Sequence, residues 1–303
     1  MTRPYHLGTR ASPLALAQAH MTKAALIAAH GWADADIEIV AVTTEGDIVL
    51  DRPLAEIGGK ALWTKTLDAK LLAGEIDFSV HSMKDVETIR PDAISLAAIL
   101  ERADPRDRLI GAASIADLPH GARVGTSSPR RAAQVQRLRP DLQIVGFRGN
   151  VATRLAKLER GEADATLLAA AGLDRLGRHD IGVVLDPEDM LPAASQGAVG
   201  IEARTDDAAM RMLLDAINHV PTRTAVEAER ALLAGLSADC HSPVGAHAHW
   251  EGDFLTLTAE LLSGDGRDHV RDTIIVDNAD APAALARRLL DRASPELRAL
   301  FGG

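Results

Sequence analysis

The chain has 303 residues, 47% hydrophobic and 25% charged, a length that suggests about two domains of ~150 residues and a composition typical of a soluble globular enzyme. Its 33 Lys and Arg against 43 Asp and Glu leave a net charge of −10, which excludes nucleic acid or an anionic membrane as a general partner. No apolar run approaches the ~18 residues of a membrane span, the start MTRPYHLGTR lacks the apolar region of a secretory signal, and one cysteine excludes an internal disulfide, so a reducing cytoplasm is expected.

Along the chain, HLGTRASPLALAQAHMTKAALIAAHG reads as strand, turn and helix, with Ser12 as cap, Pro13 at the first helical position and Gly31 after the end. IEIVAV (37–42) and FSVH (78–81) read as strands, with VHSMKDV (80–86) at the end of the second. ARVGTSSPRRAAQVQRLRP repeats the opening pattern: Gly125-Thr126 end a strand, Ser128 caps, Pro129 opens a helix and Pro140 closes it. A second repeat pairs AKLLAGEID (69–77) with AKLERGEAD (156–164), each ending a helix at a glycine and leading into a strand. QIVGF (143–147) and ATLLA (165–169) are further strands, alternating with helices. The pattern predicts two similar α/β domains with mostly parallel sheets and crossover helices, whose ligand sits beyond the carboxyl ends of the strands, enclosed between facing clefts. The last third differs: a helix at 224–236, strands at 254–262 and 269–277, and a closing helix at 281–293 predict a small α/β domain with an antiparallel sheet, beginning near 220.

Arginine is the clearest chemical signal. Arg10, Arg130, Arg131, Arg148 and Arg154 gather at turns and helix starts of an acidic chain, beside Ser12, Thr126, Ser127 and Ser128. Helix N-termini and bidentate guanidinium groups both favour carboxylate or phosphate, so a small polyanion is one reading and solvated helix ends the other. Lys84 and Asp85 follow a strand; they fit a structural ion pair, a charge-stabilising carboxylate or a Schiff-base lysine. Cys240, in LSADCHSPVGAHAH, is open to three readings: a buried inert thiol, a metal ligand with His241, His247 and His249, or a thiolate forming a covalent bond. No second cysteine or acidic motif completes a zinc spacing, so no metal is expected.

The stretches TRASPLALAQA, TEGD, IGGKALWTK, VHSMKDV, ADPRDRL, VGTSSPRR, FRGNVATRLAKL, LAAAGLDRLG, LPAASQGAVGIE and DCHSPVGAHA, in this order over residues 9–248, resemble the porphobilinogen deaminase (hydroxymethylbilane synthase) family. The resemblance implies two lobes like those of type II periplasmic binding proteins, residues 1–99 with 195–216 and residues 100–194, and a third domain, residues 217–303. It implies a transferase of tetrapyrrole (porphyrin and heme) biosynthesis, cytoplasmic and monomeric, that condenses four porphobilinogen molecules head to tail, releasing ammonia and then linear hydroxymethylbilane. The primer is a dipyrromethane cofactor on a thioether to Cys240. Its contacts would come from Ser12, Lys60, Lys84, Asp85, Thr126, Ser127, Ser128, Arg130, Arg131, Arg148 and Gly149. Substrate would meet Arg10, Ser12, Trp63, Arg148, Arg154, Arg175 and Gln196, with Asp85 as the catalytic carboxylate opposite the pyrrole nitrogens. The chain departs from the family pattern at Glu56 (usually lysine), Trp63 (phenylalanine), Glu87 (often proline) and Ala238-Asp239 (two glycines).

Overall fold

The computed structural model describes residues 3–43, 64–239 and 241–301. Among these the strands are β1 (Tyr5–Arg10), β2 (Ile37–Val42), β3 (Phe78–Ser82), β4 (Ile94–Ile99), β5 (Asp107–Ile110), β6 (Arg123–Gly125), β7 (Gln143–Val145), β8 (Ala165–Ala169), β9 (Val183–Val184), β10 (Val199–Arg204), β11 (Val244–Glu251), β12 (Phe254–Leu262) and β13 (His269–Ile275). The helices are α1 (Pro13–His30), α2 (Lys65–Leu72), α3 (Pro129–Leu138), α4 (Val151–Glu159), α5 (Ala170–Arg175), α6 (Ala208–Asp215), α7 (Val220–Gly235), α8 (Ala281–Arg292) and α9 (Pro295–Arg298). The chain divides into two compact units, residues 1–103 with 198–223 and residues 104–197 with 224–303.

The first unit is built on a sheet in the order β2-β1-β3-β10-β4. β1 runs parallel to β2 and β3, while β10 lies antiparallel between β3 and β4. Leu7, Phe78, Val80, Ala98 and Ile201 bury one core with Ala19 and Leu26 of α1, whose apolar positions recur at helical spacing. The ends of α1 are those read from sequence: Ser12 accepts from the Ala15 N–H, Pro13 opens the helix, and Gly31 (φ 67°) donates its N–H to the Ile27 carbonyl.

The second unit holds a sheet in the order β7-β6-β8-β5-β9, with β5 antiparallel to both neighbours. Each sheet therefore has the same plan, in which four strands run one way in the order second, first, third, fourth, and one antiparallel strand separates the third from the fourth. The duplication reaches single hydrogen bonds. After α2, Gly74 (φ 71°) donates to the Leu71 carbonyl and Glu75 to Lys70. After α4, Gly161 (φ 72°) donates to Leu158 and Glu162 to Lys157. Both are Schellman ends with glycine in the left-handed position.

The second unit also contains the antiparallel sheet β11-β12-β13, backed by α8 and by Leu232 and Leu236 around a core of Leu255, Leu257, Leu261 and Leu285. Two mixed α/β lobes plus a small domain with an antiparallel sheet is the class expected from the sequence. The expectation of mostly parallel sheets holds for strand direction, with β5 and β10 as exceptions. Strands at 37–42, 165–169 and 254–262 match the sequence reading residue for residue, whereas α7 starts at Val220 rather than 224 and β7 stops at Val145.

Candidate functional site

In the first unit, Asp85 closes a 3₁₀ turn, Met83–Asp85, directly after β3. The Met83 N–H donates to the Ala198 carbonyl (3.1 Å) and the Val86 N–H to the Met83 carbonyl (3.2 Å). Asp85 lines a cleft with Arg10, Ser12, Gln18, Thr64, His81 and Ser82. This lies at the carboxyl ends of β1 and β3, where ligands of such sheets bind. Ser12 Oγ accepts the Ala15 N–H at 3.3 Å, which leaves its own hydroxyl proton available. Gln18 Nε2 donates to Ser82 Oγ at 2.7 Å, tying α1 to the strand that delivers Asp85. Lys84, half-buried, precedes Asp85 in the turn. Among the described residues no hydrogen bond or ion pair holds the Asp85 carboxylate.

A buried ionic cluster backs this cleft. Arg90 donates Nε and Nη2 to Glu202 (2.9 and 2.8 Å), Nη2 also to Asp68 (2.6 Å), and Nη1 to Glu87 (2.6 Å) and Thr64 Oγ1 (3.3 Å). His81 Nε2 lies 2.9 Å from Ser79 Oγ and 3.4 Å from Glu202 Oε2. Burial, and then the Arg90 charge, push the His81 pKa down to about 4, so the ring is neutral at pH 7. Burial raises the Asp68 carboxyl against the pull of Arg90.

In the second unit the Gly-Thr-Ser-Ser-Pro turn enters α3. Ser128 Oγ caps the helix by accepting the Arg131 N–H (3.4 Å), Thr126 Oγ1 accepts the Ser128 N–H (3.1 Å), and Ser127 Oγ donates to the Phe147 carbonyl (2.8 Å). Arg130 and Arg131 point inward. Their Nη2 groups grip the two oxygens of Asp107 at 2.9 and 2.7 Å, and Gln196 Nε2 joins at 2.8 Å. Their Nη1 groups donate to the Leu191 and Leu167 carbonyls (2.8 and 3.0 Å). Burial would push the Asp107 carboxyl up, but the two guanidinium groups outweigh it and hold it well below the usual carboxylate range.

Arg154 Nε donates to the Gly149 carbonyl (2.9 Å) and Arg175 Nη2 to the Gly197 carbonyl (2.6 Å). Gly149 has φ +109°, and a Cβ there would meet the Thr153 side chain at 2.6 Å, so both the backbone conformation and the packing call for glycine. Arg131 Nε, Arg148 Nη1 and Arg175 Nε are buried and have no hydrogen-bond partner among the described residues. Orphaned, buried guanidinium N–H groups are the donors that carboxylates satisfy, so the residues present fit the acidic side chains of a dipyrromethane.

The loop after α7 is organised by Asp239. Its N–H donates to Ser242 Oγ (3.1 Å), its Oδ1 accepts the His241 N–H (2.9 Å), and its carbonyl accepts the Ser242 N–H (3.0 Å). An Asx-type turn thus takes the place of the family's glycines. Cys240 itself, with Lys60, Trp63 and Glu56, lies outside the described residues. His247 and His249 share one face of β11, with ring centroids 5.2 Å apart. Among the described residues no group of three His, Cys, Asp or Glu could hold a metal ion.

The structure thus brings Arg10, Ser12 and Asp85 to one cleft of the first unit. In the second it joins Arg130, Arg131 and Gln196 on Asp107, and links Arg154 to Gly149. Sequence reasoning missed Asp107, Arg90 and Glu202. Asp107 left a trace, an acid between two arginines at the start of an apolar strand, PRDRLI.

Residues 5–212 match the family model "Porphobilinogen deaminase, dipyromethane cofactor binding domain", and residues 223–293 match "Porphobilinogen deaminase, C-terminal domain". The chain is 65% identical to a porphobilinogen deaminase of Sphingopyxis alaskensis, covering 98% of this chain and 96% of the relative. It is 49% identical to one of Paracoccus denitrificans, over 96% and 95% of the two chains. Among solved structures, a periplasmic substrate-binding protein of an ABC transporter from Coxiella burnetii is similar at 14% identity and a TM-score of 0.42, over 73% of this chain and 94% of that one.

Proposed function

This chain belongs to the porphobilinogen deaminase family, and from that membership we propose that it is a hydroxymethylbilane synthase whose primer is held by Cys240 and whose chemistry is served by Asp85. In this reading residues 1–99 with 195–216 and residues 100–194 are the two binding lobes, and residues 217–303 carry the cofactor cysteine.

Porphobilinogen bears two carboxylates, so a growing oligopyrrole is a polyanion. Arg131, Arg148 and Arg175 offer unsatisfied N–H groups to such anions, Ser127, Ser128 and the Gly149 backbone offer neutral contacts, and Arg10 brings a positive charge and Ser12 a hydroxyl to the cleft of Asp85. Arg130, with its Nη groups on Asp107 and Leu191, acts by holding Asp107 and Arg131 in register. When bound, the dipyrromethane supplies the nucleophilic pyrrole carbon. Loss of ammonia from substrate leaves a cation conjugated with the pyrrole nitrogen. An ionised, unpaired carboxylate at that nitrogen stabilises the cation as it forms. The substrate's aminomethyl group, an ammonium at pH 7, departs as neutral ammonia without a proton from the enzyme, and the Asp85 carboxylate receives the proton released on coupling.

The observation that carries this reading is the Asp85 carboxylate, free of described partners in a cleft that also presents Arg10 and Ser12. Intact-protein mass spectrometry and ammonia release test it. Wild type should weigh more than its polypeptide by one dipyrromethane, and Cys240→Ala should lose both the added mass and turnover. Asp85→Asn should keep the added mass yet fall by at least about 100-fold in kcat. Wild-type turnover in Asp85→Asn would refute the role of the carboxylate. The same reading places the enzyme in the cytoplasm as a monomer.

A further inference from the structure

Building on that reading of Asp85, we propose that Arg90 and Glu87 are positioning residues that fix the Asp85 turn. Because no described donor holds the Asp85 carboxylate, its location follows from its backbone alone. Before the aspartate, that backbone is tied by Met83 N–H to Ala198 and by Gln18 to Ser82. After it, the Val86 N–H bonds back to the Met83 carbonyl, and a side chain two residues on adds a tie outside the turn: the Glu87 carboxylate accepts the Thr64 hydroxyl at 2.8 and 3.0 Å and Arg90 Nη1 at 2.6 Å.

Arg90 passes the restraint outward. Its remaining N–H groups reach Asp68 on α2 at 2.6 Å and Glu202 on β10 at 2.8 and 2.9 Å, so all five guanidinium donors are engaged. The Arg90 side chain is 11% exposed and that of Glu202 1% exposed, so water cannot substitute for these contacts. Thr64 and His81, both in contact with this cluster, line the same cleft as Asp85. One guanidinium thus joins Glu87, two residues past Asp85, with the start of α2 and the antiparallel strand. A lysine there would keep the charge but has no planar fork to serve four acceptors at once. Glu87 stands where the family often has a proline; in this chain a carboxylate pinned at three points supplies the rigidity at that position.

The test uses the full-length, cofactor-loaded enzyme and the variants Arg90→Lys, Glu87→Ala and Glu87→Gln, alone and in an Asp85→Asn background. A shift of ~1 Å at a reacting group can cost about 100-fold. Arg90→Lys and Glu87→Ala should therefore lose roughly 10- to 100-fold in kcat, with KM changed less than about 2-fold and the cofactor mass unaltered. Glu87→Gln, whose amide oxygen still accepts from Thr64, should recover most of the kcat lost in Glu87→Ala. In the Asp85→Asn background, Arg90→Lys and Glu87→Ala should slow the residual rate no further, because they act through the missing carboxylate. A purely structural role would lower Tm while leaving kcat per folded molecule intact; that result, or losses that multiply with Asp85→Asn, overturns the proposal. If Arg90→Lys fails to fold, the Glu87 pair carries the same readouts. Slow Asp85→Asn with normal Arg90 and Glu87 variants sinks only this inference, whereas normal Asp85→Asn sinks the reading beneath it.

Discussion

Asp107→Asn isolates the buried triad of the second unit. The aspartate is fully buried, and Arg130 and Arg131 are 3% and 5% exposed, so neither guanidinium can turn to water when its partner goes. The substitution removes two charge-assisted bonds, at 2.9 and 2.7 Å, and presents an amide NH₂ to one of the two cations. Breaking a buried pair from one side costs about 3–5 kcal/mol, because the stranded charge stays desolvated. For a unit of this size that is a fall in Tm of roughly 6–20 °C. Thermal unfolding followed by circular dichroism at pH 7 reads it directly. The pH dependence has a fixed sign. A carboxyl held below its ordinary value stabilises the fold above the unfolded pKa of ~3.9 and loses that contribution as pH falls through the folded value. The gap between wild type and variant should therefore be full at pH 7 and shrink in acid below about pH 4. A gap under about 1 kcal/mol at pH 7, or one that widens on acidification, would show that the arginines do not depend on Asp107.

Gly149→Ala should be destabilised by about 1–3 kcal/mol, since φ +109° is costly for a side chain and the new Cβ meets Thr153 at 2.6 Å; denaturant unfolding measures this, and a rise in KM should accompany it. His81 has the opposite linkage to a salt-bridged histidine. Its folded pKa of about 4 lies below the unfolded value of ~6.5, so stability is full above pH 6.5 and falls as pH drops toward 4, by up to about 3 kcal/mol. Urea unfolding of wild type and His81→Gln at pH 7 and pH 4.5 should show the steeper loss in wild type.

What could be read from the chain was local. Ser12, Pro13 and Gly31, and then Ser128 and Pro129, announce helix ends because caps and fixed φ angles act within a few residues. The paired GE motifs at Gly74 and Gly161 betray the duplication for the same reason. What escaped was decided at a distance. β5 and β10 gain their partners from strands far along the sequence, and nothing within their few apolar residues states a direction. Arg130 and Arg131 look like anion binders at a helix start, and only the fold reveals that Asp107 comes up beneath them. The five contacts of Arg90 come from three separate segments, the start of α2, Glu87 and β10, so spacing could not disclose them.

The interior place of β10 in the first sheet, between β3 and β4, has a consequence for biosynthesis. β4 is complete by residue 99, yet the strand that must sit between it and β3 begins at Val199. A nascent chain therefore emerges with an open seam in its first sheet, and the seam can be filled only after about 100 further residues have been translated. Until then β3 and β4 expose raw backbone edges, and a ribosome-stalled fragment ending near residue 103 should recruit chaperones or aggregate rather than fold by itself.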